Sequence, residues 1–298
     1  MIGLRSKRIL SDTVIYIILI LMVFIWLFPL VWMILRAFDA NTSSTSTTIF
    51  PTEYTWNNFR NLFPGGPGVP SNDGTYRNDY SSFPYMTWFS NTLIVALISC
   101  VISTILILMV SYALSRLRFS ARKKLMNISL ILGLFPGFLS MIALYNIFKA
   151  FNLTGSLIGL ALVYSLASGT GYYIVKGFFD TVPLAIDEAA RIDGATKNRI
   201  FWRMIIPLSK PIIIYTILTS FISPWCDYIL ASVFMMNQTE KYTIAVGIRQ
   251  WVTERELVGN YFTRFCAGGV FVSIPIVILY MIMQKFYVAG ITGGAAKG

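Results

Sequence analysis

Asp187-Glu-Ala-Ala-Arg-Ile-Asp-Gly-Ala195, continuing through Phe201 and Trp202 to Pro207, is the most charge-dense run in an otherwise apolar chain. It lies between two long apolar stretches, residues 157–175 and 211–235. Its charges place it in water between two hydrocarbon-buried segments, so it decides how the chain is threaded. Thr181-Val-Pro183 marks a helix start, because proline suits a first helical turn. From there Ala185, Ala189 and Ile192 fall at i, i+4 and i+7, with Ala190 and Gly194 on the adjacent row. A face of small residues is a notch that lets a backbone or a large side chain come close. Gly194, about 1 kcal/mol worse than alanine inside a helix, predicts a kink or a close contact. Asp187 and Arg191 are spaced to pair at i, i+4. A helix that merely rests on lipid would carry large apolar residues on that face instead.

Of the 298 residues 56% are apolar and 12% charged, against about 25% charged in soluble domains. The chain is therefore read as an all-α, polytopic membrane protein. Each span needs about 20 apolar residues. Six stretches qualify: residues 14–35, 92–114, 126–148, 157–175, 211–235 and 265–284. The first follows Arg5, Lys7 and Arg8 as a signal peptide would, but its 22 uncharged residues are too long for one and no A-x-A site follows.

Six spans put both termini on one side. That side holds sixteen of the 24 basic residues, in the N-terminal tail, residues 115–125, residues 176–210 and the C-terminal tail, against five acidic ones. The opposite side holds eight basic and seven acidic residues. The positive-inside rule makes the first face cytoplasmic and attributes the net charge of +11 to topology and the lipid bilayer, with no nucleic-acid partner. With no histidine, His-based metal sites and Ser-His or Cys-His catalysis are absent. Cys100, Cys226 and Cys266, far apart and without a CxxC, read as small buried hydrophobes. No metal site and no catalytic residue is expected.

On the outer face, residues 36–91 hold a Ser/Thr run (residues 42–48) and Pro64-Gly-Gly-Pro-Gly-Val-Pro70, a composition of turns and extended chain rather than core. This segment reads equally as a tolerated insertion or a docking surface. The second outer loop, residues 237–264, has a short amphipathic piece around Trp251 and Thr253-Glu-Arg-Glu256. Pro29, Pro136-Gly137, Pro224 and Pro275 read as packing kinks. Asp227, in Pro224-Trp-Cys-Asp-Tyr228, is the one charged residue inside a span, where a central charge costs about 2.5 to 3.5 kcal/mol. It reads either as an interfacial or helix-bonded carboxylate or as lining a pathway.

Glu188-Ala189-Ala190, three residues, Gly194, nine residues, Met204, one residue, Ile206 and Pro207 together resemble the EAA signature of permease subunits of bacterial binding-protein-dependent ABC importers. Met204 and Ile206 stand where the family pattern has Ile and Leu. The resemblance covers nearly the whole chain and looks closest to the carbohydrate-uptake branch, the maltose/maltodextrin-type second permease subunit. It implies a single type I importer permease domain over residues 1–298, with residues 36–91 as an outer loop and residues 176–210 as a cytoplasmic coupling loop. Glu188, Ala189, Ala190, Asp193, Gly194, Ala195 and Pro207 would then form the element seated in an ATPase groove. It also implies as partners a homologous second permease subunit, two ATPase subunits and an extracytoplasmic solute-binding protein, in a bacterial cytoplasmic membrane. With no GxxxxGK[ST] this chain binds no cofactor itself, and ATP and Mg belong to the partner ATPases.

For a sugar path, Asp227, Trp225, Tyr228, Asn91, Tyr164 and Asn146 are the expected residues, because aromatic faces stack on sugar rings while amides and carboxylates bond hydroxyls. Interhelical packing or interfacial anchoring explains each residue singly as well. The alternatives are a permease for another solute or an ion-gradient-driven transporter, for which one intramembrane Asp is thin support. An embedded enzyme would need catalytic side chains converging at one depth, and the sequence places none.

Overall fold

The computed structural model describes residues 4–42, 48–70, 76–166, 171–236, 238–254 and 257–295. The interior of the Ser/Thr run, residues 71–75 of the first outer loop, and Glu256 of the second lie outside them. The chain is helical nearly throughout: α1 (Leu4–Ala37), α2 (Asn57–Arg60), a two-residue hairpin of β1 (Val69–Pro70) and β2 (Tyr76–Arg77), α3 (Tyr85–Arg116), α4 (Arg122–Gly133), α5 (Gly137–Ala150), α6 (Leu157–Leu166), α7 (Gly171–Thr181), α8 (Leu184–Ile192), α9 (Lys197–Ile200), a π-helical turn (Phe201–Ile205), α10 (Ile206–Leu208), α11 (Lys210–Cys226), α12 (Ile229–Met235), α13 (Ile244–Thr253) and α14 (Val258–Ala295).

Three of these helices, over Ser11–Ala37, Tyr85–Arg116 and Val258–Gln284, are long and apolar enough to cross a membrane unbroken. The third, fourth and fifth stretches are broken and not merely kinked. Residues 126–148 divide into α4 and α5, which meet at 107° around Pro136, and residues 157–175 divide into α6 and α7 at 45°. Residues 211–235 break at Asp227, whose extended backbone ends α11 and precedes α12. Upstream, α9–α10 meets α11 at 85°. Pro136 supplies no amide to the turn before it, so a break there is the direct result of a missing donor. Pro29 and Pro275, by contrast, are absorbed within α1 and α14.

Two compact units divide the chain: Met1–Tyr85 with Ile248–Phe271, and Met86–Gly247 with Val272–Gly298. In the first, residues 14–31 of α1 are exposed on every side. The loop after it is better packed than its composition predicts. Asn58 donates to the carbonyls of Ala37 (3.0 Å) and Asp39 (2.8 Å) and accepts from the Thr263 hydroxyl at 3.0 Å. Buried Arg264 reaches both carboxylate oxygens of Asp79 at 2.7 and 2.9 Å and lies 4.8 Å over the ring of Trp251. Gly68, at φ +91°, could carry no side chain, because a Cβ would stand 2.3 Å from the carbonyl oxygen of Arg77.

The second unit is built around α3, which passes through two apolar cores. Val95 packs with Phe148, Leu160, Tyr164, Phe234 and Met235. About 18 Å further along the helix, Ile107, Leu108 and Tyr112 pack with Val175, Phe179, Ala190, Ile200 and Phe201. The second core holds the loop between α7 and α11, and with it the polar run that opened the sequence.

Candidate functional site: the loop helix and the residues behind it

Helix α8 starts where the sequence predicts. Pro183 stands immediately before it with φ −56° and ψ 132°, and the Ile186 amide donates back to its carbonyl. At the other end the structure corrects the reading of Gly194. The glycine lies beyond the helix at φ +77°, where its amide donates to Arg191 and that of Ala195 reaches back to Ala190 at 2.9 Å. This is the glycine stop of a helix, in a conformation that a side chain penalises. No atom of this chain lies within 4 Å of a Cβ built there, so within the chain the glycine is required by the backbone turn that closes the helix and not by a neighbouring side chain.

The two faces of α8 are unequal. Leu184, Ala185, Glu188, Ala189 and Ile192 are exposed, Ile192 by 87%. Asp187 and Ala190 are buried against the core. The expected Asp187–Arg191 pair does not form. Arg191 is exposed, and the Asp187 carboxylate turns inward to stand 3.4 Å from Nε of Arg116 at the end of α3. An inward carboxylate is tolerated only with a charge beside it, and Arg116 supplies that charge. In the sequence Arg116 reads only as one of the basic residues that set topology. The available signal was an acid on the apolar side of an amphipathic helix, flanked by Ile186 and Ala190.

Beyond Gly194, the Thr196 hydroxyl caps α9 by accepting from the Arg199 amide at 3.3 Å. Phe201 opens the π-helical turn and packs on Tyr112 with ring centroids 4.8 Å apart. Exposed Pro207 lies in α10, just before the 85° corner into α11. Of the seven residues expected to form the coupling element, Glu188, Ala189, Asp193, Gly194 and Pro207 are exposed, Ala195 is half-buried and Ala190 faces the core.

The six residues expected along a solute path do not form one group. Tyr164 and Asp227 meet, the phenol donating to the carboxylate at 3.1 Å. The other carboxylate oxygen of Asp227 accepts from the Leu230 amide at 3.1 Å, capping α12. Asp227 thus lies at a helix break and not within a helix, and its charge meets an amide left free by that break. Trp225 is buried against Phe89 and Phe221. Half-buried Tyr228 packs beside the Val95 core. Asn91 donates to the carbonyls of Glu240 and Tyr242 at 2.8 and 3.1 Å, tying the second outer loop to α3. Asn146 is exposed and bonds within its own helix, to Ile142. A cleft of about 450 Å³ opens at the bend between α4 and α5, lined by Ser129, Phe135, Ser140, Met141, Tyr172 and Leu230 among others, and by none of those six. Among the described residues no group of three or more acids and cysteines is placed to hold a metal ion.

Residues 108–293, from the lower half of α3 to near the end of α14, match the family described as binding-protein-dependent transport system inner membrane component. The chain belongs to that family. As a member it is a multi-pass membrane permease subunit of an ABC importer and not an enzyme, since ATP hydrolysis resides in separate subunits of such importers. Relatives extend the likeness over nearly the full length. The galactooligosaccharides transport system permease protein GanQ of Bacillus subtilis is 32% identical over 95% of this chain and 94% of its own. The maltodextrin transport system permease protein MalD of Streptococcus pneumoniae is 32% identical over 99% of each. The maltose/maltodextrin transport system permease protein MalG of Escherichia coli is 29% identical over 95% of each. A permease-fold chain from the crystal structure of a bacterial ABC transporter involved in the import of the acidic polysaccharide alginate superposes with a TM-score of 0.75 at 22% identity, covering 96% of this chain and 99% of that one. The chain therefore shares its overall fold with that structure.

Proposed function

We propose that this permease forms half of the translocation pathway of an ATP-driven importer of neutral oligosaccharides, beside a homologous second permease subunit. In this reading residues 176–210 are the cytoplasmic coupling loop and both termini are cytoplasmic. A solute-binding protein delivers the sugar to the outer face, where residues 36–91 stand. Two ATPase subunits hold the ATP and Mg, and this chain binds no cofactor of its own.

The observation that carries the reading is the two-faced build of α8. Its inner face is fixed by Asp187 and Ala190, while Leu184, Ala185, Ala189 and Ile192 stand exposed with Glu188 among them. Small side chains beside two projecting aliphatic ones present a shape that a groove can receive, and Glu188 adds a charge that fixes register. Asp193, Gly194 and Ala195 then set where the helix ends, and Pro207 sets the angle at which the chain returns to the membrane. The oligosaccharide assignment rests on GanQ, MalD and MalG, whose names specify galactooligosaccharides, maltodextrin and maltose/maltodextrin. Tyr164 with Asp227 is the nominated polar pair on the solute side, with Trp225 and Tyr228 beside it. Asn91 and Asn146 have structural bonds of their own and contribute least.

Purification in mild detergent tests the assembly. The chain is expected to co-elute with an ATPase, and maltodextrin or galactooligosaccharide with the binding protein is expected to stimulate ATP hydrolysis by the reconstituted complex. Uptake by this chain alone, driven by an ion gradient in vesicles free of ATP, would contradict it.

A further inference from the structure

We propose that helix α3 carries the loop helix α8 and moves with it as one body, and that Arg116 is the positioning residue that sets where α8 stands. This rests on the reading of α8 as the ATPase-docking element and names the part of the fold through which that element acts.

Ser111, Tyr112, Ser115 and Arg116 lie at i, i+1, i+4 and i+5, two adjacent rows on one face of α3. Ser111 bonds α7 just ahead of the coupling loop, and the other three bond the loop itself. The Ser111 hydroxyl donates to the Tyr172 carbonyl at 2.9 Å, and the Tyr112 phenol to the Lys197 carbonyl at 3.1 Å. The Ser115 hydroxyl donates to Asp180 at 2.6 Å. One terminal nitrogen of Arg116 donates to the carbonyls of Phe179 and Val182 at 2.8 and 2.7 Å, while Nε faces Asp187 of α8 itself at 3.4 Å. Together these contacts hold the approach to α8, its middle and its exit. The side chains of Arg116 and Asp187 are 2% and 4% exposed, so water neither screens nor replaces their contact.

The two chain connections of α8 are unequal transmitters. On one side Val182 and Pro183 join it to α7, and Arg116 bonds that same turn. On the other, the path to α11 passes a left-handed glycine, a separate short helix, a π-helical turn and the 85° corner. Each of these is a place where backbone angles can change at low cost. A push on α8 therefore reaches α3 through a polar clamp and a packed core, and reaches α11 through a series of joints. The planar guanidinium bonds two carbonyls through one terminal nitrogen while its Nε edge faces the carboxylate as an ion pair, an arrangement an ammonium cannot match.

The test uses the whole importer, with its ATPase subunits and binding protein, in proteoliposomes supplied with maltodextrins and galactooligosaccharides. In a background where Cys100, Cys226 and Cys266 are serine, Ser115→Cys with Asp180→Cys joins α3 to the loop on oxidation. If the two move as one body, uptake after cross-linking stays within about twofold of the reduced form. A formed cross-link that stops uptake means that they part during the cycle, and overturns the proposal. Arg116→Lys supplies a second readout, the sugar moved per ATP hydrolysed, which a merely stabilising residue would leave unchanged. That ratio is expected to fall at least fivefold with the ATPase still co-purifying, and a parental ratio would also overturn the proposal. Failure of the parent complex to co-purify with any ATPase would instead remove the docking reading on which the proposal rests.

Discussion

Helices α1 and α3 are alike in length and apolarity, at 34 and 32 residues, yet the structure uses them in opposite ways. Residues 14–31 of α1 are exposed on every side, whereas α3 passes through both cores of the second unit. The difference is written in their small polar residues. Residues 14–35 of α1 contain no serine or threonine, while α3 carries Thr92, Ser99, Ser103, Thr104, Ser111 and Ser115, all buried. In hydrocarbon, apolar side chains gain little from leaving lipid for protein, so close packing and interhelical hydrogen bonds decide which helices associate. A span of large aliphatic residues is a lipid-facing surface, and one interrupted by buried hydroxyls is a spine.

Substitutions can break this contrast, beginning at the spine. Arg116→Met removes the cation 3.4 Å from the buried Asp187 carboxylate, whose oxygens accept no hydrogen bond among the described residues, and is expected to cost about 3 to 5 kcal/mol in detergent-solubilised protein. Adding Asp187→Leu should recover most of that loss. An unchanged melting temperature for Arg116→Met would mean that the pair is not formed. Gly194→Ala places a side chain at φ +77° with nothing to collide with, so a loss of about 1 to 2 kcal/mol is expected from the backbone alone. Uptake should fall no further than the amount of folded protein does. A severe uptake defect in well-folded Gly194→Ala would show that a partner packs against that position. Smallest of all, Leu21→Ala on exposed α1 should change stability by no more than about 0.5 kcal/mol. A loss above 2 kcal/mol would mean that α1 is packed against protein.

Much of the architecture is legible in the sequence, because apolar length and the charge asymmetry of loops are local or additive properties. The apolar stretches coincide with helices, Pro183 precedes a helix, and the spacing from Glu188 to Pro207 carries the resemblance to the family that residues 108–293 match. What stays hidden depends on neighbours distant in the chain. The partner of Asp187 is Arg116 and not Arg191, since spacing reports only which residues could pair within one helix. Asp227 reads as a charge within a span because hydropathy does not register that the helix stops there and leaves an amide for the carboxylate to cap. Gly194 falls on the small-residue row by periodicity, but periodicity cannot show that the helix has already ended at Ile192. Chemical type alone nominates the solute residues, whereas three-dimensional packing makes Asn91 a loop anchor and brings Tyr164 and Asp227 into a bonded pair.

The exposed face of α8 can be interrogated directly by placing a cysteine at Ala189 in the otherwise cysteine-free chain and measuring its rate of modification by a polar maleimide in inside-out vesicles. Docking of an ATPase on that face predicts rapid labelling of the permease without its ATPase and at least tenfold slower labelling once the ATPase is bound, with a control cysteine at Lys123 labelled equally in both. Equal rates at Ala189 with the ATPase demonstrably bound would contradict the coupling role of this helix.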